Sequence, residues 1–219
     1  MANTIRAVIW DLDGVIIDSA EAHRLSWYRL AREEGIPFTD EQFWADFGKR
    51  NDVIIPALFA PRQLTPKQVR ELADRKESYF RELIREMAHP LPGAIELMSA
   101  LHEAGYRQAL GSSTPPANIE LIKELLGLDR YLDVFVSGEM VARGKPAPDI
   151  FLKAAELLQV EPRHCLVIED AVAGIEAAHA AGMYAIAVTG GRDLPGLRAA
   201  ELAVHDLTEV SVQRIRELA

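Results

Sequence analysis

Ala7-Val8-Ile9-Trp10-Asp11-Leu12-Asp13-Gly14 decides the fold: four apolar residues in a row, then two acids bracketing a leucine, then glycine. A short unbroken apolar run reads as a strand buried on both faces of a parallel sheet. Similar runs recur at 106–110, 134–136, 165–168 and 184–188, and three of them follow helix-like segments ending at or near Gly105, Gly127 and Gly182. That alternation predicts an α/β fold, a doubly wound parallel sheet with right-handed crossovers. From Ser19 to His89 the pattern is helical only, with Leu25, Tyr28, Leu30, Leu58, Val69, Leu72, Phe80, Leu83 and Ile84 as its apolar positions. The expected organisation is an α/β core of residues 1–18 and 90–219, with a small helical domain, 19–89, inserted after the first strand. Pro90-Leu91-Pro92-Gly93 punctuates the return to the core.

At 219 residues, 49% hydrophobic and 26% charged, the chain can bury a core without disulfides. Its single cysteine, Cys165, lies among Leu166, Val167 and Ile168 and reads as a small core hydrophobe rather than a reactive thiol. The formal charge of -9 argues against a nucleic-acid binder, which needs a clustered basic surface, and no such cluster is visible in the sequence. Between 70 and 86, Arg70, Arg75, Lys76, Arg81 and Arg85 alternate with acids, the look of a solvated helix face. Residues 1–10 lack a signal-peptide layout, and the apolar stretch 177–188 is interrupted by His179 and Gly182 and too short to span a bilayer. The expectation is a cytoplasmic monomer with no membrane or nucleic-acid partner.

In open α/β sheets ligands bind outside the carboxyl ends of the strands. Asp11 and Asp13 follow the first run, Ser112 and Ser113 the second, and Glu169 and Asp170 the fourth; Lys145 lies at a distance after the third. A carboxylate can attack a phosphoryl group, provided a cation screens its charge, and a second carboxyl can exchange the proton with the leaving oxygen. Asp-x-Asp-Gly is equally an ordinary turn. Two adjacent acids at Glu169-Asp170 would repel without a cation, and hard oxygen ligands near phosphate suit Mg2+. Asp170 alone would otherwise cap the helix expected from Ala171, and Ser112 the helix expected at Pro116. Lys145, before Pro146, is read at a helix N-terminus, where an anion is favoured.

Asp11-Leu12-Asp13-Gly14-Val15 with Asp18-Ser19, Gly111-Ser112-Ser113, Gly144-Lys145-Pro146-Ala147-Pro148-Asp149, and Glu169-Asp170 with Gly174 resemble, in this order, the four motifs of the haloacid dehalogenase superfamily. The likeness spans nearly the whole chain and implies a Rossmann-like core. The helical segment resembles the small cap of the beta-phosphoglucomutase-like subgroup, which includes many sugar-phosphate phosphatases. The resemblance implies Asp11 as nucleophile and Asp13 as general acid/base. It implies Ser112, Ser113 and Lys145 as phosphate ligands, and Asp11, the Asp13 carbonyl and Asp170, with Glu169 near, around Mg2+. Asp18 and Ser19 would lie at the cap hinge. Dehalogenation attacks carbon without a metal cluster, so the acids at 13, 169 and 170 favour phosphoryl transfer. A catalytically silent phospho-ligand binder is the remaining alternative.

In the cap, His23, Gly48, Lys49, Arg50 and Lys76 resemble positions that beta-phosphoglucomutase uses, with Arg50 a candidate clamp for a distal phosphate. His23 is also readable as a polar residue of an amphipathic helix, and Arg50 as a loop charge. Thr114-Pro115-Pro116 departs from the mutase pattern of Lys and Asn after the second motif, and prolines supply no donor. The sequence therefore points to a phosphatase of small phosphorylated metabolites, with a phosphomutase as the alternative.

Overall fold

The computed structural model describes residues 4–219, so residues 1–3 of the leading stretch lie outside the description. β1 (Ala7–Trp10) is followed by α1 (Ala20–Glu34), α2 (Asp40–Asp46), α3 (Asn51–Leu58) and α4 (Pro66–Met87). The chain continues through α5 (Ala94–Glu103), β2 (Arg107–Ser112), α6 (Pro116–Leu126), β3 (Val134–Ser137) and α7 (Asp149–Leu158). It ends with β4 (Cys165–Glu169), α8 (Val172–Ala180), β5 (Tyr184–Val188), β6 (Leu202–Val204) and α9 (Val212–Arg216). Two compact units result: one runs through Asp18 and resumes at His89–Ala219, and the other is Ser19–Ala88.

The first unit holds a six-stranded sheet in the order β3-β2-β1-β4-β5-β6, every pairing parallel. β1 is central because all four of its residues are apolar and none is exposed, which a strand with one wet face could not tolerate. Ile9, Ala109 and Val167 form one core with Phe151 of α7 and Ile175 of α8. Trp10, one residue on, points to the opposite face, as the pleat requires. Its indole N–H donates to Gln108 Oε1 (3.0 Å), and the Gln108 amide donates to the Met98 carbonyl in α5 (2.9 Å). Helices thus cover both faces. β6 is the strand the sequence did not announce. It has three residues, half-buried at Leu202 and exposed at Ala203, too little to register as an apolar run.

The second unit is helical throughout. Thr39 with Gln42 and Thr65 with Gln68 form reciprocal capping boxes that start α2 and α4, satisfying N–H groups that would otherwise lack partners. Its core gathers Trp27, Leu30, Phe43, Ile55, Phe59 and Leu72. Lys76 and Glu77 are buried and do not belong to a solvated face. Leu72, Lys76, Phe80 and Ile84 recur every four residues along α4, so Lys76 lies in the apolar stripe itself.

Candidate active site

β1 ends at Trp10, and the chain then turns so tightly that Gly14 N–H donates to the Ile17 carbonyl (3.0 Å) and Ile16 N–H to that of Leu12 (2.9 Å). Asp11 stays buried at the strand end, where Lys145 Nζ donates to its Oδ1 at 2.8 Å. The same ammonium reaches Glu169 Oε1 at 2.5 Å. Glu169 Oε2 accepts the backbone N–H groups of Asp170 and Ala171, both at 2.8 Å. Asp170 completes the group: Arg192 Nη2 donates to its Oδ2 at 2.9 Å and to its carbonyl at 3.0 Å. Asp11, Glu169 and Asp170 each offer an oxygen within 4.8 Å of the others.

Two glycines make this convergence possible. Gly14, at φ +76°, has Asp170 Oδ2 only 2.3 Å from where a Cβ would stand. Gly174 has Glu169 Oε1 at 1.9 Å from the same point, so α8 could carry no side chain there without displacing Glu169.

Electrostatics follow from burial and crowding. Burial drives the Asp11 carboxyl well above the usual carboxylate range, opposed by Lys145 and reinforced by Glu169, Asp13 and Asp170. Asp170 is pushed up to about 7, mainly by burial and by Glu169, with Arg192 pulling the other way. Burial disfavours the Lys145 ammonium, but Asp11 and Glu169 outweigh it and hold the group protonated. Mutual repulsion among acids with all-oxygen donors is what a hard divalent cation would relieve.

Asp13 is half-buried, and Thr114 Oγ1 donates to its Oδ2 at 2.5 Å. Ser112 ends β2, its Oγ accepting the Thr114 N–H at 3.3 Å, and half-buried Ser113 follows. Three local expectations change. Ser112 does not cap α6, whose N-cap is Pro115. Asp170 does not cap α8, whose N-cap is Ala171. Lys145 does not sit at a helix start, because α7 begins at Asp149 behind Pro148; its ammonium is placed by Asp11 and Glu169 instead. Sequence reasoning missed Thr114 and Arg192. Extending the strand-end rule to the fifth strand would have found Arg192, which follows β5 behind Gly190-Gly191.

In the helical unit, His23 stacks on Phe80 (ring centroids 3.9 Å apart) and its Nδ1 lies 2.7 Å from Lys76 Nζ. Lys76 donates to Glu77 Oε1 (2.9 Å), which also accepts from Asn51 Nδ2 (2.8 Å). Burial works against the Glu77 carboxylate, but Lys76, His23 and Asn51 prevail and lower it to about 2. Arg50 Nε and Nη2 fork onto Asp52 Oδ1 and Oδ2 (3.1 and 2.9 Å), and Lys49 pairs with Asp46 at 2.7 Å. Among the described residues no helix is long and apolar enough to cross a membrane.

The family model of haloacid dehalogenase-like hydrolases matches residues 5–182. The beta-phosphoglucomutase of Bacillus subtilis (strain 168) is 34% identical over 219 residues, 97% of this chain and 95% of that one. Hexitol phosphatase A of Escherichia coli (strain K12) is 32% identical over 209 residues, covering 95% of this chain and 94% of that one. The crystal structure of beta-phosphoglucomutase from Clostridium difficile superimposes with a TM-score of 0.88 at 28% identity, over 98% of this chain and 97% of that one. Homologues of this kind make the chain an enzyme acting on phosphoric monoesters, as a phosphatase or a phosphomutase. Its strand-end acids thus stand in a known setting: the chain belongs to the haloacid dehalogenase-like hydrolases.

Proposed function

We propose that the chain is a Mg2+-dependent phosphatase of small phosphorylated metabolites, sugar and polyol phosphates foremost, working through an aspartyl phosphate on Asp11. The observation that carries this reading is the meeting of Asp11, Lys145, Glu169 and Asp170 at the carboxyl ends of neighbouring strands β1 and β4. In the first half-reaction an Asp11 carboxylate oxygen bonds to phosphorus, the P–O bond to the leaving group breaks, and Asp13 protonates the departing oxygen. In the second, Asp13 takes a proton from water, the water oxygen bonds to phosphorus, and the bond to Asp11 breaks, releasing inorganic phosphate. Lys145 and the hydroxyls of Ser112 and Ser113 bind phosphoryl oxygens. Asp11, Asp170 and the Asp13 carbonyl would hold Mg2+; when bound it screens these carboxylates from the phosphoryl oxygens and acts as a Lewis acid. Glu169, with one oxygen on Lys145 and the other on two backbone N–H groups, stands beside this set and offers it a further carboxylate oxygen.

Water is favoured over a sugar as acceptor because the cations a distal phosphate would need are already matched. Arg50 is forked onto Asp52 and Lys49 is paired with Asp46. Pro115 and Pro116 contribute no N–H at the start of α6. The phosphomutase reading draws on the 34% identity with the Bacillus subtilis enzyme. A screen of phosphorylated metabolites separates them, with beta-glucose 1-phosphate and a bisphosphate primer among the substrates. Net release of inorganic phosphate supports the phosphatase; stoichiometric isomerisation to glucose 6-phosphate with negligible free phosphate overturns it.

A further inference from the structure

We propose that Thr114 is a positioning residue for Asp13, holding the carboxyl so that its proton reaches the departing oxygen, and that esters of weakly acidic alcohols depend on it most. This rests on the phosphatase reading above. Thr114 is 5% exposed and makes two bonds, one that crosses from the end of β2 to the end of the neighbouring strand β1 and one that is local to β2. Its Oγ1 donates to Asp13 Oδ2 at 2.5 Å, and its N–H donates to Ser112 Oγ at 3.3 Å. The post is stiff. A residue before proline is confined to extended backbone, Pro115 is itself extended (φ -60°, ψ 150°), and Pro116 begins α6. The paired prolines, which offer a ligand no donor, thereby fix where the threonine hydroxyl stands.

With Oδ2 accepting from Thr114, the proton that Asp13 transfers is carried on Oδ1, so this hydrogen bond orients the carboxyl for its role as acid. How much this matters depends on the leaving group. An alkoxide of a sugar or polyol is too basic to depart without the proton that Asp13 transfers as the P–O bond breaks. A nitrophenolate departs unaided. Loss of positioning should therefore separate the two ester types, whereas a residue that merely braces the turn between β2 and α6 would slow both alike.

The experiment compares wild type, Thr114→Val and Thr114→Ser on p-nitrophenyl phosphate and on a series of sugar and polyol monophosphates, with folding checked by circular dichroism and thermal melting. For Thr114→Val, kcat/KM on alkyl esters, which reports the half-reaction that breaks the ester P–O bond, should fall on the order of 10- to 100-fold, part of the 10²–10⁴ that a positioned acid supplies. On the aryl ester kcat/KM should fall by less than about threefold, because its departure asks little of the acid and the later attack of water does not enter this ratio. Thr114→Ser, which keeps the hydroxyl, should restore the alkyl rates. An equal loss on both ester types, no loss on alkyl esters, or an equally impaired serine variant overturns the inference while leaving the phosphatase reading intact. A wild-type protein inactive on every phosphate ester overturns both.

Discussion

Lys145 and Asp11, 134 positions apart in the chain, are joined by an ion pair of 2.8 Å in which neither side chain is more than 10% exposed. A buried carboxylate of this kind is tolerated because an ammonium faces it; removing the ammonium strands Asp11, whereas removing Asp11 leaves Lys145 on Glu169. Asp11→Asn should keep the fold and lose at least about 1000-fold in turnover, on the order of 4 kcal/mol of barrier. Steady-state phosphate release beside a circular dichroism spectrum checks it; activity within tenfold of wild type would remove Asp11 from the nucleophilic role.

Lys145→Met attacks the same pair from the other side. Asp11 and Glu169 would then face each other uncompensated, at a cost of about 3–5 kcal/mol at neutral pH. Because the Asp11 carboxyl is already raised and would rise further, protonation should relieve the strain, so the deficit should shrink as pH falls. Urea melts at neutral and acid pH measure this. A deficit independent of pH would show that packing, not charge, is lost.

Cation binding should be visible without turnover. Mg2+ at 100 times its dissociation constant should stabilise the protein by about 2.7 kcal/mol, read as an upward shift in melting temperature that chelator reverses. Gly14→Ala should abolish the shift, since its methyl group would fall on Asp170 Oδ2, 2.3 Å away, at a backbone φ that L residues rarely adopt. A full shift in that variant would move the cation away from Asp170.

Glu77 gives a second pH signature, in the helical unit. Its carboxyl falls from 4.5 to about 2 on folding, so its stabilisation is complete above pH 4.5 and is lost as pH falls towards 2. The shift corresponds to about 3 kcal/mol. Glu77→Gln should be destabilised by roughly that amount at pH 7, and the gap from wild type should close in acid. Equal stabilities at pH 7 would mean that Lys76 and His23 need no counter-charge.

Cys165 should be inert in the native protein. Burial among β-strand neighbours pushes its thiol to about 12, so a thiol reagent at pH 8 should label it only after denaturation. Rapid native labelling would contradict the burial.

Much of this was legible in the sequence because chemistry and folding place opposite demands on adjacent residues. Ala7–Trp10 is purely apolar because the strand is central, and Asp11 follows because the site begins where the sheet stops. What stayed hidden depends on three-dimensional phase. Charge alternation along α4 looks solvated until Lys76 is counted four residues from both Leu72 and Phe80. Pro146 and Pro148 both fit a helix start, and only the folded loop shows that the second does so. Thr114 is hidden because in the sequence Pro115 and Pro116 show only the donors they lack, and the hydroxyl they hold still becomes visible only where the ends of β1 and β2 meet.

The central place of β1 also bears on how the chain comes to fold. Ala7 waits for partners at Arg107 and Cys165, roughly 100 and 160 residues later, and such distant pairings make for slow folding. During synthesis, the strand that leads into Asp11 emerges before both of its neighbours and is completed late. The intervening Ser19–Ala88 unit has a core of its own, built on Trp27, Leu30 and Ile55, and can condense while β1 is still unpaired. Once condensed, it shortens the loop that β1 and β2 must close, lowering the entropy cost of that closure. The insertion would then serve the nascent chain as well as the finished enzyme.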